Sequence, residues 1–179
     1  KTAEEFDTEG WFHTGDVGVW TKDGCLRIVD RLKNLIKLLG GEYIAIEAME
    51  AAFNTSVYAD GANGGVLVYG DGAMDRAVAL VQANVGELKK WAQANDVDIT
   101  NVAKLCSDPN VEKMVLDDLN ANGKAANLGA NEKIVAVHLI SGEGSPTEPE
   151  DNSPWTPENI LLTASNKLNR KVIERKLDH

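Results

Sequence analysis

The pattern of apolar and polar positions changes character early in the chain. The stretches VGVW (17–20) and CLRIVD (25–30), the second of which alternates apolar and polar side chains, flank an Asp-Gly turn and predict a β-hairpin. A charged Arg-Leu-Lys-Asn step at 31–34 ends this pattern. We therefore expect a domain boundary there, with residues 1–33 and 34–179 as separate units.

Beyond the boundary, segments in which apolar residues have the spacing of a helix alternate with apolar runs of strand length. Apolar residues at Ile46, Met49 and Phe53 have the spacing of a helix and follow a double glycine. The segment 64–84 contains two apolar runs around a Gly-Asp-Gly turn. This arrangement predicts two antiparallel strands joined by a short connection.

Helix start signals locate two further helices. Asn84 is a good N-cap for one, and Asp108 with Pro109 forms the cap and first-turn pair of the next. The apolar run at 133–141 supplies another strand. This order of elements predicts an α+β fold in which a small antiparallel sheet is flanked by helices.

The last part of the chain is a loop followed by a basic tail. Residues 141–158 hold four of the five prolines and several acids, which is typical of a surface loop. The tail concentrates positive charge at Lys167, Arg170, Lys171, Arg175 and Lys176. Such a cluster suits an anionic ligand such as a phosphate, although a solvated helix face is the alternative. Lys167 precedes the expected helix and could project from a loop.

Charge and composition exclude several classes of function. A net charge of -10 disfavours nucleic acid as a partner. The apolar runs are strand-sized, far short of the roughly 20 residues that cross a bilayer, and we see no signal-peptide pattern. Cys25 and Cys106 match neither a disulfide framework nor a zinc site, which favours a reducing, intracellular compartment. Histidines at 13, 138 and 179 are scattered, so spacing predicts no metal site.

Two turns could carry ligand chemistry. Thr14-Gly15-Asp16 places a carboxylate on a tight turn, where it could accept hydrogen bonds from a diol such as a ribose. Gly40-Gly41 permits close approach of a ligand, or a positive-φ turn between a strand and a helix. Each is also typical of ordinary turns, so neither decides the function alone.

In combination, these motifs closely resemble the carboxy-terminal part of long-chain acyl-CoA synthetases. The resemblance covers essentially the whole chain. Its most specific motifs are TGD, DRLKNLIK and GGEYIA within residues 10–53, and the stretch PWTPENILLTASNKLNRKVI (154–173). These enzymes form part of the adenylate-forming superfamily, which also includes luciferases and peptide-synthetase adenylation domains. The motif GEYIA resembles the form that this motif has in the long-chain branch of the superfamily.

The resemblance implies a division between two domains. Residues 1–33 would be the end of a large amino-terminal domain, and residues 34–179 would be the mobile carboxy-terminal lid. Trp11 and Phe12 would pack on the remainder of the large domain. The phosphate loop and acyl pocket of the family would lie upstream, so we expect this chain to be inactive alone.

The resemblance also assigns roles at the junction between the two domains. By position, Asp16 would hold the ribose hydroxyls of ATP, and Arg31 would contact the ribose or a phosphate. Lys33 falls at the hinge position, where a change in backbone dihedrals would swing the lid between two poses.

The same resemblance implies a two-step reaction with ATP and coenzyme A. Lys167 would bridge the fatty carboxylate and the α-phosphate during adenylation, with release of pyrophosphate. In the second pose, Gly40 and Gly41 would line the pantetheine tunnel through which CoA reaches the acyl-adenylate and displaces AMP. Mg²⁺ is implied as the counter-ion of ATP, and we assign it no ligand in this chain.

Two alternatives stay open at this point. Lys37 also matches a lysine position of luciferase-like members, which suits a luciferase or another acid:CoA ligase. The chain could instead be a non-catalytic interaction domain that binds an acidic partner through its basic tail.

The expected partners of the ligase are a long-chain fatty acid, ATP, CoA and the missing domain. Membrane association, on the cytoplasmic side of an organelle, would come only through the missing region.

Overall fold

The chain begins with the predicted hairpin. The computed structural model describes the backbone of residues 6–177 and the side chains of residues 6–175. Strands β1 (Asp16–Trp20) and β2 (Leu26–Arg31) pair antiparallel, which confirms the hairpin. A short 3-10 turn, Leu32–Asn34, connects it to the remainder of the chain.

Residues 35–177 form an α+β unit, as expected. Its elements are β3 (Leu35–Lys37), β4 (Tyr43–Ala45), α1 (Ile46–Phe53), β5 (Val66–Tyr69), β6 (Val78–Gln82), α2 (Val85–Ala94), α3 (Val102–Cys106), α4 (Pro109–Ala125), β7 (Val137–Ile140) and α5 (Arg170–Leu177). The predicted caps are confirmed. Asn84 accepts a hydrogen bond from the Glu87 N–H, and Asp108 accepts from the N–H groups of Asn110 and Val111.

The main sheet has the order β5-β6-β7 and is mixed. β5 and β6 pair antiparallel, as predicted, whereas β7 pairs parallel to β6. The expectation of an antiparallel sheet is therefore wrong for its third strand. Residues 83–136 carry the chain through α2, α3 and α4 back to the end of the sheet where β6 began. A strand that starts there runs in the same direction as β6.

Both faces of this sheet are buried, because its side chains alternate between two cores. Val66 and Val68 of β5 point into a larger core shared with helices α1 to α4, whereas Leu67 points into a second one. The second core consists of Leu67, Leu80, Ile140, Trp155, Leu161, Leu162 and Ile173. The carboxy-terminal tail is therefore a layer of the fold that packs on one face of the sheet.

The hairpin segment (residues 6–34) has a different surface. In the part of the chain that the structure describes, buried hydrophobic side chains begin only at Leu38. Trp11 and Trp20 are 70% and 76% exposed. Other exposed apolar residues of this segment are Phe6, Phe12, Val19, Leu26, Ile28, Val29 and Leu32. So many exposed apolar side chains in one segment are typical of a segment that packs on another domain.

Removal of the Asp108 cap should destabilise α4. Because its carboxylate accepts two backbone N–H groups of the first turn, Asp108→Ala should lower the free energy of unfolding by about 1 kcal/mol. Asp117→Ala is the matched control, since Asp117 only forms an exposed ion pair with Lys113 on the same helix; its loss should be about 0.3–0.5 kcal/mol. Urea unfolding measures both, and equal losses would contradict the capping role.

Candidate functional site

The structure brings Asp16 and Arg31 together. They are cross-strand partners at the end of the hairpin, and Arg31 Nε lies 3.7 Å from Asp16 Oδ1. The Asp16 N–H donates to Thr14 Oγ1 at 3.1 Å, and the Leu32 N–H donates to the Gly15 carbonyl at 2.7 Å. The turn is therefore fixed, while both charged side chains keep contact with solvent. An acceptor for hydroxyls beside a guanidinium donor suits a sugar–phosphate ligand.

Lys33 lies in the 3-10 turn that follows, with its side chain exposed. Two polar residues that sequence reasoning did not single out hold this turn. The buried Asp30 accepts hydrogen bonds through Oδ1 from the Arg31 N–H at 2.6 Å and from Asn34 Nδ2 at 3.1 Å. An Asp and an Asn four residues apart are too common a pattern to predict such a clasp.

Gly40 and Gly41 lie in the exposed turn between β3 and β4. The turn joins two strands, so the expected position between a strand and a helix is corrected. Gly41 has φ +87°, which favours glycine, and its N–H donates to the Leu38 carbonyl at 2.9 Å. On the same hairpin, Lys37 Nζ lies 6.0 Å from the centre of the Tyr43 ring.

Lys167 projects from a closed loop, as predicted. The loop is closed by an antiparallel bridge between Leu162 and Leu168, by the Thr163 N–H donating to the Lys167 carbonyl at 2.7 Å, and by the Lys167 N–H donating to Thr163 Oγ1 at 3.1 Å. Asn166 adopts φ +56°, a left-handed conformation that Asn and Gly tolerate best. The Lys167 side chain is exposed.

Arg170, at the start of α5, is not a solvated surface charge. Its Nη1 donates to the Val68 carbonyl at 3.1 Å, and its Nη2 donates to Glu50 Oε2. Glu50 Oε1 accepts the Val68 N–H at 2.7 Å. Only 10% of the Glu50 side chain and 22% of the Arg170 side chain are exposed. Burial raises the pKa of Glu50, while the charge of Arg170 and the Val68 N–H oppose that shift.

The basic tail therefore divides into two kinds of residue. Lys171 and Arg175 are exposed on α5, as the solvated-face alternative expects, and the side chain of Lys176 lies outside the described residues. Sequence reasoning did not find the Glu50–Arg170 pair, since its members are 120 positions apart. Each alone looks like an ordinary charged residue of a helix.

Residues 6–177 offer neither a ready-made metal cluster nor a membrane-spanning helix. That range contains no group of three or more His, Cys, Asp or Glu side chains that could hold a metal ion. Within the same range, every helix is too short or too polar to cross a membrane.

Comparison with solved structures defines the class. The adenylation domain of carboxylic acid reductase from Segniliparus rugosus, solved with AMP and a carboxylic acid, matches 99% of this chain with a TM-score of 0.72 and 25% identity. This chain covers 24% of that one. The chain thus has the fold of the carboxy-terminal part of adenylate-forming enzymes.

The curated relatives make the assignment more specific. Long chain acyl-CoA synthetase 8 of Arabidopsis thaliana is 37% identical over 98% of this chain. The peroxisomal long chain acyl-CoA synthetase 6 of the same plant is 36% identical over 95%. The chain is therefore homologous to part of the long-chain acyl-CoA synthetases. It spans 23% and 22% of the length of these two relatives, respectively. No protein-family model matches it.

The left-handed backbone at Asn166 gives a direct test of the loop that carries Lys167. Asn166→Val should destabilise the closed loop by about 1–3 kcal/mol, because a β-branched residue is strained at φ +56°. Asn166→Gly, the matched control, should leave it unchanged. Hydrogen exchange of the Lys167 amide measures the difference. Equal exchange in the two variants would mean that the loop does not depend on this conformation.

Proposed function

We propose that this chain is the carboxy-terminal part of an ATP-dependent long-chain fatty acid:CoA ligase. The homology to long-chain acyl-CoA synthetases over nearly the whole chain carries the proposal. It also favours this activity over the luciferase-like alternative. The reaction converts a fatty carboxylate and ATP to acyl-adenylate and pyrophosphate, and CoA then displaces AMP to give acyl-CoA.

In the first step, three residues of this chain act on the nucleotide. Asp16 accepts hydrogen bonds from the ribose hydroxyls, and Arg31 contacts the ribose or a phosphate from the facing strand. Lys167 places its ammonium between the substrate carboxylate and the α-phosphate. Both groups are anionic, so a compact cation offsets their repulsion as the carboxylate oxygen attacks phosphorus and pyrophosphate leaves. The exposure of the Lys167 side chain on its closed loop supports this role.

In the second step, the lid takes another pose. A change of backbone dihedrals at Lys33 swings residues 34–179 about the hairpin segment. The turn at Gly40 and Gly41 then lines the path of the pantetheine arm. The thiol sulfur of CoA attacks the acyl carbonyl carbon and forms the thioester bond. The bond between that carbon and the phosphate oxygen of AMP breaks, and AMP leaves with its electrons. A turn without side chains suits a narrow path.

The remaining parts of the ligase are proposed to lie in the large amino-terminal domain. The exposed apolar surface of the hairpin segment would pack on that domain, which would supply the phosphate loop and the acyl pocket. Mg²⁺ would accompany ATP. Because ATP and CoA are both needed, we expect the ligase to work inside the cell. The present chain alone should form no AMP from ATP and a fatty acid.

Loss of Lys167 should separate the two steps. In a full-length ligase that carries this chain, Lys167→Ala should slow adenylation roughly 100-fold or more, because the cation between the attacking carboxylate and the α-phosphate is lost. Thioester formation from supplied acyl-adenylate should stay near the wild-type rate. Lys171→Ala, which removes an exposed charge from the neighbouring helix, is the matched control. Unchanged adenylation in Lys167→Ala would overturn the proposed role of the tail.

The ribose contact gives a second prediction. Asp16→Asn should raise the KM for ATP roughly 10-fold, because hydrogen bonds to a charged acceptor contribute about 1.5–3 kcal/mol. Asp23→Asn makes the same change at the other end of the hairpin and should leave this KM unchanged. Initial rates at varied ATP concentration test both variants. A similar KM for the two variants would place the nucleotide elsewhere.

A further inference from the structure

The tail that carries Lys167 is attached to the sheet at two polar points. At its beginning, the Trp155 N–H donates to Oε1 of the buried Gln82 at 3.1 Å. At its end, Arg170 reaches the outer edge of β5. Lys167 lies between these points and only three positions before Arg170. Any movement at Arg170 is therefore transmitted to Lys167 over a very short length of chain.

The contact at Arg170 is a closed ring of hydrogen bonds. Arg170 donates to both Glu50 and the Val68 carbonyl, and the Glu50 carboxylate in turn accepts the Val68 N–H. The ring joins α1, the edge strand β5 and α5 at one position. A planar guanidinium that bonds two acceptors fixes the direction of its own chain as well as its distance, which a single contact does not.

The base of the Lys167 loop fits closely against the fold. A Cβ at Gly64 would lie 2.8 Å from Trp155, 3.1 Å from Leu162 and 3.2 Å from Leu168. The two leucines are the residues that bridge to close the loop. The loop thus rests on a surface that leaves it little freedom, and its exit into α5 leads directly to Arg170.

Helix α5 has a second attachment that does not depend on Arg170. Ile173 is 4% exposed and belongs to the second core, and Val172 packs against the same cluster. Loss of the Arg170 contacts should therefore leave α5 docked through its apolar face. Without the Arg170 contacts, the segment between Lys167 and α5 would no longer have a fixed direction.

We propose that Arg170 and Glu50 are positioning residues for Lys167. Their ion pair across the edge of β5 holds the loop so that the Lys167 ammonium is presented at the right place for adenylation. This inference rests on the proposed function, because it takes Lys167 as the adenylation lysine. It adds two residues that do not touch the substrate. It also gives the ion pair a role in the first step only.

The test compares the two half-reactions in a full-length ligase. Arg170→Gln should lower the kcat of adenylation roughly 10- to 100-fold, the effect of a displacement of about 1 Å, with little change in the KM for ATP. Thioester formation from supplied acyl-adenylate should stay near wild type. Arg170→Lys should restore part of the lost rate. Lys171→Gln removes the neighbouring exposed charge and should change neither step.

A purely structural role would give another result. Loss of folded protein would lower both half-reactions by the same factor, and that outcome, like unchanged adenylation, would overturn the inference. If Arg170→Gln does not fold because it leaves Glu50 buried and unpaired, the double variant Glu50→Gln/Arg170→Gln removes both charges. It should fold and still show slow adenylation with a normal second step. Normal adenylation in the double variant would also overturn the inference.

Lys167→Ala, measured in parallel, separates this inference from the proposed function. If Lys167→Ala abolishes adenylation while Arg170→Gln does not affect it, only the positioning role fails. If Lys167→Ala leaves adenylation intact, the proposed function of the tail fails, and the positioning role fails with it.

Discussion

The ion pair between Glu50 and Arg170 joins the layers of the α+β unit. It lies at the outer edge of β5, the position where a sheet leaves backbone groups without strand partners. Asn54 accepts the Val66 N–H there, Glu50 accepts the Val68 N–H, and Arg170 donates to the Val68 carbonyl. The edge is thus closed by side chains from a helix on one face and from the tail on the other.

The two cores on either side of the sheet hold two sets of candidate residues on one body. The turn at Gly40 and Gly41 is held by Leu38 and Ile44, which are buried in the larger core. The Lys167 loop is held by the second core on the opposite face of the same sheet. A rotation at the 3-10 turn would therefore carry both together. One rigid unit could present a cation in one pose and a glycine turn in the other, as the proposed two-step reaction requires.

Local features of the fold were predictable from the sequence, and distant pairings were not. The β1–β2 hairpin, the Asn84 and Asp108 caps and the exposed Lys167 loop depend on neighbouring residues, whose pattern is visible in the chain. The parallel addition of β7 depends on where a long crossover returns, which periodicity does not encode. The short helix α3 is too brief to show a period.

The candidate site shows the same difference between features that the sequence predicts and pairings that it does not. Motif resemblance suggested Asp16 and Arg31 as nucleotide contacts, and the β1–β2 register makes them neighbours. It gave no reason to connect Glu50 with Arg170, because the pairing exists only after α1, β5 and the tail have assembled. The left-handed Asn166 likewise has no signature apart from its residue type. Side-chain contacts between distant segments are a property of packing, which must be known before such pairs can be identified.

We propose that residues 34–179 move as a unit about the hairpin segment. A distance measured by pulsed electron paramagnetic resonance tests it most directly, with spin labels on the exposed Cys25 and on Lys171→Cys in a full-length ligase whose other reactive cysteines are replaced. Cys106 should not react, because burial raises the pKa of its thiol to about 11. We expect one distance with an acyl-adenylate analogue and a different one with CoA and AMP. The same single distance in both states would contradict it.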